Sequence, residues 1–223
     1  MENKNVCSAI ILCGGMSRRM GEDKGSMDFN GKPMIIHVLD TLSSKIDEAL
    51  IVLNDNKRIS KYMSLIQEYS NFDFDIKFVE DEIKNKGPLS GIMTGLKSIS
   101  GDYALVLHCD SPYISSDFVI FMFDTLNKLI KSNSNVEGIV PYHYFERNNS
   151  KEIILKNSEP LHSIYNRNTY STIENLLKSD EKKVKSFIDI IDSYFIPIDK
   201  NNTNSKISEI NFKNINYKND FKN

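Results

Sequence analysis

Ser8-Ala9-Ile10-Ile11-Leu12-Cys13-Gly14-Gly15, running on through Met16-Ser17-Arg18-Arg19-Met20-Gly21-Glu22-Asp23-Lys24, is the stretch from which the fold of this 223-residue chain is read. Its apolar, β-branched residues pass without interruption into two glycines, the pattern of a short strand buried on both faces of a parallel sheet. Three later segments, Ala49 to Leu53, Ile76 to Val79 and Tyr103 to Leu107, read alike. Between the first two lie Gly31-Lys32-Pro33 and then Ile35, Val38, Leu39 and Leu42 at helical spacing, with a proline near the first helical position. This is a β-α-β unit. Leu89, Ile92, Met93 and Leu96 repeat the period after Gly87-Pro88, and Val119, Met122, Leu126 and Leu129 do so after Ser115-Ser116-Asp117, whose side chains suit a helix start. The alternation predicts an α/β sheet.

Beyond Lys131 the pattern changes. Gly138 to Pro141 reads as a further strand, and Glu152 to Lys156 with Leu161 to Tyr165 read as a hairpin about Asn157-Ser158-Glu159-Pro160, bringing mixed character to the sheet. Helical spacing returns at Ile173, Leu176 and Leu177 and at Val184, Phe187, Ile188 and Ile191, while Tyr194 to Ile198 looks extended. Asn201 to Asn223, rich in Asn and Lys, has the composition of a loose tail.

Hydrophobic residues at 40% and charged residues at 26% exclude wholesale disorder. With 28 Lys+Arg against 30 Asp+Glu the net charge is -2, which argues against a general binder of nucleic acid or anionic membrane; any basic site must be local. Cys7, Cys13 and Cys109 make neither a C-x-x-C pair nor a metal-ligand spacing, so a reducing compartment is expected. The run Val6 to Cys13 is too short for a signal peptide and ends in glycines, and nothing approaches the roughly 18 apolar residues of a membrane span. A cytoplasmic protein is expected.

Glycines just after a buried strand let backbone N–H groups approach a ligand, and Arg19 and Lys24 add positive charge above the strand end, which suits a nucleoside triphosphate. A tight β-α turn with a solvated basic loop would read the same. The segment matches neither the P-loop, which needs Gly-Lys-Ser/Thr after a four-residue gap from its first glycine, nor G-x-G-x-x-G. Asp110, three residues past the strand Tyr103 to Leu107, sets a hard oxygen ligand suited to magnesium at the edge where open α/β folds bind ligands; a turn or helix cap is the plainer alternative. Asn54 and Asp81 lie at the same predicted edge, so four strand ends converge on one cleft. His37, His108, His143 and His162 are scattered and form no Ser-His-Asp or Cys-His arrangement in the sequence.

Taken together, Leu12-Cys13-Gly14-Gly15, Arg18-Arg19-Met20-Gly21, Asp23-Lys24 and Gly31-Lys32-Pro33 resemble the signature of the molybdenum cofactor guanylyltransferase family, a branch of the nucleotidyltransferases. Gly87-Pro88-Leu89-Ser90-Gly91-Ile92 and Cys109-Asp110-Ser111-Pro112 are similar to its second and third motifs, and Glu159-Pro160-Leu161-His162-Ser163-Ile164-Tyr165 and Asn214-Ile215-Asn216 to its later ones. The resemblance spans most of residues 8 to 217. It implies a three-layer α/β/α nucleotide-binding, Rossmann-like fold with a mostly parallel mixed sheet, one nucleotidyltransferase domain over residues 1–223 with flexible ends at 1–6 and 218–223. It implies transfer of guanylate from GTP to the terminal phosphate of molybdopterin, with Mg²⁺ as cofactor and release of pyrophosphate.

Carried over position by position, Leu12, Cys13, Gly14 and Gly15 would line the nucleotide and Asn54 and Asp81 would meet guanine or ribose. Lys24 and Arg19 would bind the triphosphate, Asp110 would hold Mg²⁺ and contact GTP, and Asn214 and Asn216 would lie on the acceptor side. Molybdoenzymes or other cofactor-biosynthesis proteins are the protein partners it implies. Cys13 stands where the family has alanine, the loops before Lys24 and between Asp81 and Gly87 are a residue short, and Tyr217-Lys218-Asn219 replaces the usual Thr-Pro-Glu. The competing readings are a cytidylyltransferase of the same cofactor, a cobinamide-phosphate guanylyltransferase, a sugar-phosphate nucleotidyltransferase, or a nucleotide-binding regulator without catalysis. The chemistry needs no side-chain nucleophile, because anions meeting at the α-phosphorus call for positioning and charge neutralisation.

Overall fold

A computed structural model describes residues 6–14, 23–69, 72–143, 150–199 and 207–215. In chain order these form β1 (Cys7–Leu12), the short strands β2 (Asp28–Phe29) and β3 (Lys32–Pro33), α1 (Met34–Leu42), β4 (Glu48–Leu53), α2 (Asn56–Tyr69), β5 (Asp75–Glu80) and α3 (Pro88–Ser98). Then follow β6 (Tyr103–His108), α4 (Ser116–Lys131), β7 (Gly138–His143), α5 (Lys151–Lys156), β8 (Ile164–Asn166), α6 (Tyr170–Lys178), α7 (Val184–Ile190) and β9 (Ser193–Ile198). Seven strands make one sheet in the order β5-β4-β1-β6-β8-β7-β9. Only β8 runs antiparallel to its neighbours β6 and β7; every other pair is parallel.

Alternation along the central strands sends side chains to two cores, as the pleat requires. Ala9 and Ile11 of β1 join α1, α2 and α4 through residues such as Leu39, Tyr62 and Phe118. Ile10 and Leu12 join α3, α6 and α7 on the other face through Ile92, Ile173 and Phe187. The result is a Rossmann-like three-layer architecture with a mostly parallel mixed sheet, as expected. Among the described residues no helix is long and apolar enough to cross a membrane.

Three segments depart from the expectation. Residues 151–156 are helical rather than the first arm of a hairpin: Ile153, Ile154 and Leu155 are half-buried, and Leu155 packs on the second core while Lys151, Glu152 and Lys156 face solvent. The extended segment that does form, β8, pairs inside the sheet instead. Helix α2 has no counterpart in the sequence reading because its composition is polar and only Tyr62 and Ile66 are buried. The described part of the supposed loose tail, 207–215, is folded, with Ile207, Asn211, Phe212 and Ile215 buried.

One charge sits inside β4. Ser8 Oγ donates to Glu48 Oε1 at 2.7 Å, Lys77 Nζ to Oε2 at 2.7 Å, and the Ser100 N–H to Oε1 at 2.6 Å. Burial alone would push this carboxyl up, but the donors overcome it and hold the pKa at about 2. A folded-state pKa below the unfolded value gives stability that is present above the unfolded pKa and is lost as pH falls towards the folded one. From the ordinary 4.5 to about 2, this is on the order of 3 kcal/mol. Urea titrations of Glu48→Gln should therefore show a lower midpoint than wild type at pH 7 and a smaller further fall towards pH 3. Parallel pH dependences would detach Glu48 from acid stability.

Candidate active site

The chain leaves β1 for β4 on one side and reaches β6 on the other, so β1 marks the switch in strand order beyond whose carboxyl end open α/β sheets bind ligands. A cleft of about 530 Å³ opens there, lined by Leu12, Gly14, Val52, Asn54, Asp81, Asn85, Gly87, Pro88, Gly91 and His108. Leu12, Gly14, Asn54 and Asp81 are thus brought together as the sequence anticipated. A Cβ on Gly14 would stand 2.5 Å from Asn54 Oδ1, so any larger residue there would push the Asn54 side chain from its place across the strand end. Cys13 is different: its N–H donates to the Val52 carbonyl at 2.8 Å and its side chain is buried in the first core. Any backbone contact from Cys13 to a ligand therefore falls to its carbonyl. Gly15 and Arg19 lie outside the described residues.

Asp81 is buried beside the start of α3. Its Oδ1 accepts from Ser90 Oγ, from Thr94 Oγ1 at 3.2 Å and from the Ile83 N–H at 3.3 Å. Oδ2 lies 3.9 Å from the place a Cβ would take on Gly91, a residue that lines the cleft. Burial raises the pKa of this carboxyl, and the three hydrogen bonds only partly oppose the rise. Asn85, in the left-handed region at φ 62°, is a cleft residue that the sequence reading missed; nothing in its spacing marks it.

Lys24 opens a single 3-10 turn, Lys24–Ser26, and its Nζ meets Asp110 Oδ2 at 2.8 Å across 86 positions of sequence. The other oxygen of Asp110 is 3.0 Å from His108 Nδ1. Burial would raise the Asp110 pKa, but His108 and Lys24 hold it down at about 2, so the carboxylate is charged at neutral pH. Among the described residues no three His, Cys, Asp or Glu side chains gather into a metal cage. One charged carboxylate of hard oxygens nevertheless fits a magnesium ion that takes its remaining ligands from phosphate and water.

Asn214 is tied to the residue that follows Asp110. Ser111 Oγ donates to Asn214 Oδ1 at 2.7 Å, the Ile215 N–H donates to the Asp110 carbonyl at 3.0 Å, and Asn211 Nδ2 donates to the Tyr113 carbonyl at 2.8 Å. Two of the histidines scattered in the sequence, His143 and His162, meet here too. His162, fully buried, stands 3.2 Å from Ser111 Oγ and 3.7 Å from Glu159 Oε2, while His143 pairs with Glu159 Oε1 at 3.0 Å. Burial lowers the His162 pKa, whereas the bond to Glu159 raises that of His143. Glu159, which burial alone would raise, is held at about 2 by the two imidazoles. Segment 207–215 is thereby fastened to the loop carrying Asp110; Asn216 lies outside the described residues.

Residues 9–194 match the sequence model of the MobA-like NTP transferase domain. The probable molybdenum cofactor guanylyltransferase of Methanothermobacter thermautotrophicus is 32% identical over 186 residues, covering 83% of this chain and 84% of its own. Among solved structures, molybdopterin-guanine dinucleotide biosynthesis protein A of Archaeoglobus fulgidus superposes with a TM-score of 0.73 at 22% identity, over 96% of this chain and 95% of that one. The 4-diphosphocytidyl-2C-methyl-D-erythritol synthase of Anaerococcus prevotii does so with a TM-score of 0.62 at 15% identity, over 97% of this chain and 93% of that one. These two likenesses bear on the fold alone.

Proposed function

This chain belongs to the MobA-like NTP transferase domain family, an enzyme family of nucleotidyltransferases, and from that premise we propose that it transfers guanylate from GTP to the terminal phosphate of molybdopterin, releasing pyrophosphate. In this reading residues 1–223 act as one nucleotidyltransferase domain. The observation that carries it is the Lys24–Asp110 ion pair at the carboxyl end of β6, one strand from the glycine-lined cleft. On the same reading the backbone from Leu12 is assigned to the nucleotide, Asn54 and Asp81 to ribose or base, Lys24 and Asp110 to the phosphates and Asn214 to the acceptor. Gly15, Arg19 and Asn216, outside the described residues, are assigned by sequence alone to the nucleotide, the phosphates and the acceptor. Asp110 would hold Mg²⁺ borne by the triphosphate, and the ion when bound neutralises charge on the phosphate oxygens. The acceptor phosphate attacks the α-phosphorus, the bond to the β-phosphate bridging oxygen breaks, and Lys24 stabilises the charge gathering on pyrophosphate.

Pyrophosphate release measured with molybdopterin and GTP, CTP or ATP in parallel tests the proposal; strong preference for GTP is expected, and equal use of CTP would move the chain to the cytidylyl branch. Asp81 supports the base choice. Its Oδ1 already takes three donors, which leaves Oδ2 to accept from the guanine N1–H or amino group. In Asp81→Asn the amide oxygen is retained where those donors converge, so an NH₂ group replaces Oδ2 and confronts the guanine donors. GTP use should fall by roughly 10-fold or more, since a charge-assisted bond contributes about 1.5 to 3 kcal/mol. ATP use should fall much less, because adenine N1 is an acceptor. An unchanged GTP-to-ATP ratio would remove Asp81 from base recognition.

A further inference from the structure

We propose that Arg58 and Tyr62 of α2 are positioning residues for Lys24, acting through Asp23; the effect on catalysis rests on the guanylyl-transfer reading, whereas the placement of Lys24 does not. The Arg58 guanidinium grips the Asp23 carboxylate with both arms, Nε to Oδ2 at 3.0 Å and Nη2 to Oδ1 at 2.6 Å. The Tyr62 hydroxyl donates to the same Oδ1 at 2.7 Å, from a side chain that is wholly buried. Asp23 immediately precedes Lys24 and closes the turn behind it, its carbonyl accepting from the Ser26 N–H at 3.1 Å and from Ser26 Oγ at 2.9 Å. Lys61, on the same helix, adds a third hold, Nζ to Ser26 Oγ at 2.8 Å. Gly25 completes the seat: a Cβ there would overlap the Tyr62 hydroxyl and stand 3.1 Å from Cys109 Sγ, the residue before Asp110. The backbone carrying Lys24 is therefore pressed between α2 and the loop that carries Asp110.

A lysine ammonium rides on four rotatable bonds, so its chain must be anchored at the root if it is to meet a phosphate within a few tenths of an ångström. A fork-to-carboxylate pair fixes geometry as well as adding energy, and a buried phenol on one oxygen holds it further. Stability alone is a poor reason to draw such a pair partly out of water, since the cost of desolvation offsets much of the attraction. The arrangement also gives α2, polar in composition and with only two residues in the core, a task at the site.

Two measurements test the clamp. The first is labelling of lysines by an acetylating N-hydroxysuccinimide ester, followed residue by residue by mass spectrometry. In Arg58→Met, Lys24 should react about 5-fold faster while Lys32 and Lys77 keep their wild-type rates, because only the Lys24 turn is released. The second is steady-state pyrophosphate release. Arg58→Met should lower kcat about 10-fold with the KM for GTP changed less than about 2-fold, Arg58→Lys should recover only part of the loss, and Tyr62→Phe should cost about 3-fold. In a Lys24→Ala background neither substitution should lower kcat further, since groups that act through one another are not additive. Losses that add in full, or unchanged Lys24 labelling in both Arg58→Met and Tyr62→Phe, would overturn the proposal. Tyr62→Phe keeps the core volume and so serves if Arg58→Met folds poorly. A wild-type protein that releases no pyrophosphate from GTP would sink the functional reading and leave the labelling result to decide the clamp.

Discussion

Asp110→Ala is expected to lower guanylyl transfer about 10³-fold or more at saturating GTP, with a circular dichroism spectrum like that of wild type. Asp110 is buried, yet what its carboxylate touches is polar rather than apolar: Lys24 on one oxygen and His108 on the other. Removing it leaves Lys24, whose side chain is 20% exposed, able to turn to water, so little of the fold depends on the carboxylate. The chemistry depends on it more heavily. With its pKa held at about 2, Asp110 is the charged oxygen donor at the strand end, and among the described residues no cluster of three ligands stands in for it. Asp110→Asn preserves volume and should fail almost as completely, which separates loss of charge from loss of packing. Near-normal turnover by either variant at high Mg²⁺ would take Asp110 out of metal and phosphate binding.

The cleft at the strand ends was legible because parallel strands announce themselves. Ala9 to Leu12, Ala49 to Leu53 and Tyr103 to Leu107 are apolar on both faces and end abruptly, so the next polar or glycine residue must stand at the cleft. Contacts made across the chain were not legible. Asp23 meets Arg58 over 35 positions and Ser111 meets Asn214 over 103, distances at which spacing carries no signal. Local propensity misled once, at Ile153-Ile154-Leu155: a β-branched run reads as strand, but a helix of six residues half-buries all three while its charged ends stay wet. The segment 207–215 looked loose by composition because its apolar residues are isolated, and it folds because Ile207, Phe212 and Ile215 each find a core prepared by other elements. The histidines follow the same logic, since β7 and β8 are neighbours in the sheet and bring His143 and His162 onto one glutamate.

Lys24→Ala is expected to lower kcat by about 10²- to 10³-fold while raising the KM for GTP only a few-fold. The reason lies in where charge develops. GTP carries its negative charge into the cleft before reaction, but transfer moves further charge onto the departing pyrophosphate, and an ammonium placed there helps the transition state more than the bound substrate. In the structure Lys24 Nζ rests on Asp110 Oδ2, so its removal also acts on that carboxylate. Lys24 is one of the two groups that lower the Asp110 pKa, and without it His108 remains the only one of the pair opposing burial. The Asp110 pKa of the free enzyme should therefore rise from about 2 in Lys24→Ala, and the acid limb of the kcat/KM profile should move to higher pH. Arg at this position should not restore turnover, because a planar guanidinium fork does not reproduce the point charge that the Lys24 ammonium sets against Asp110 Oδ2. A variant in which only the KM for GTP rises, with kcat unchanged, would make Lys24 a group that binds ground state and transition state alike.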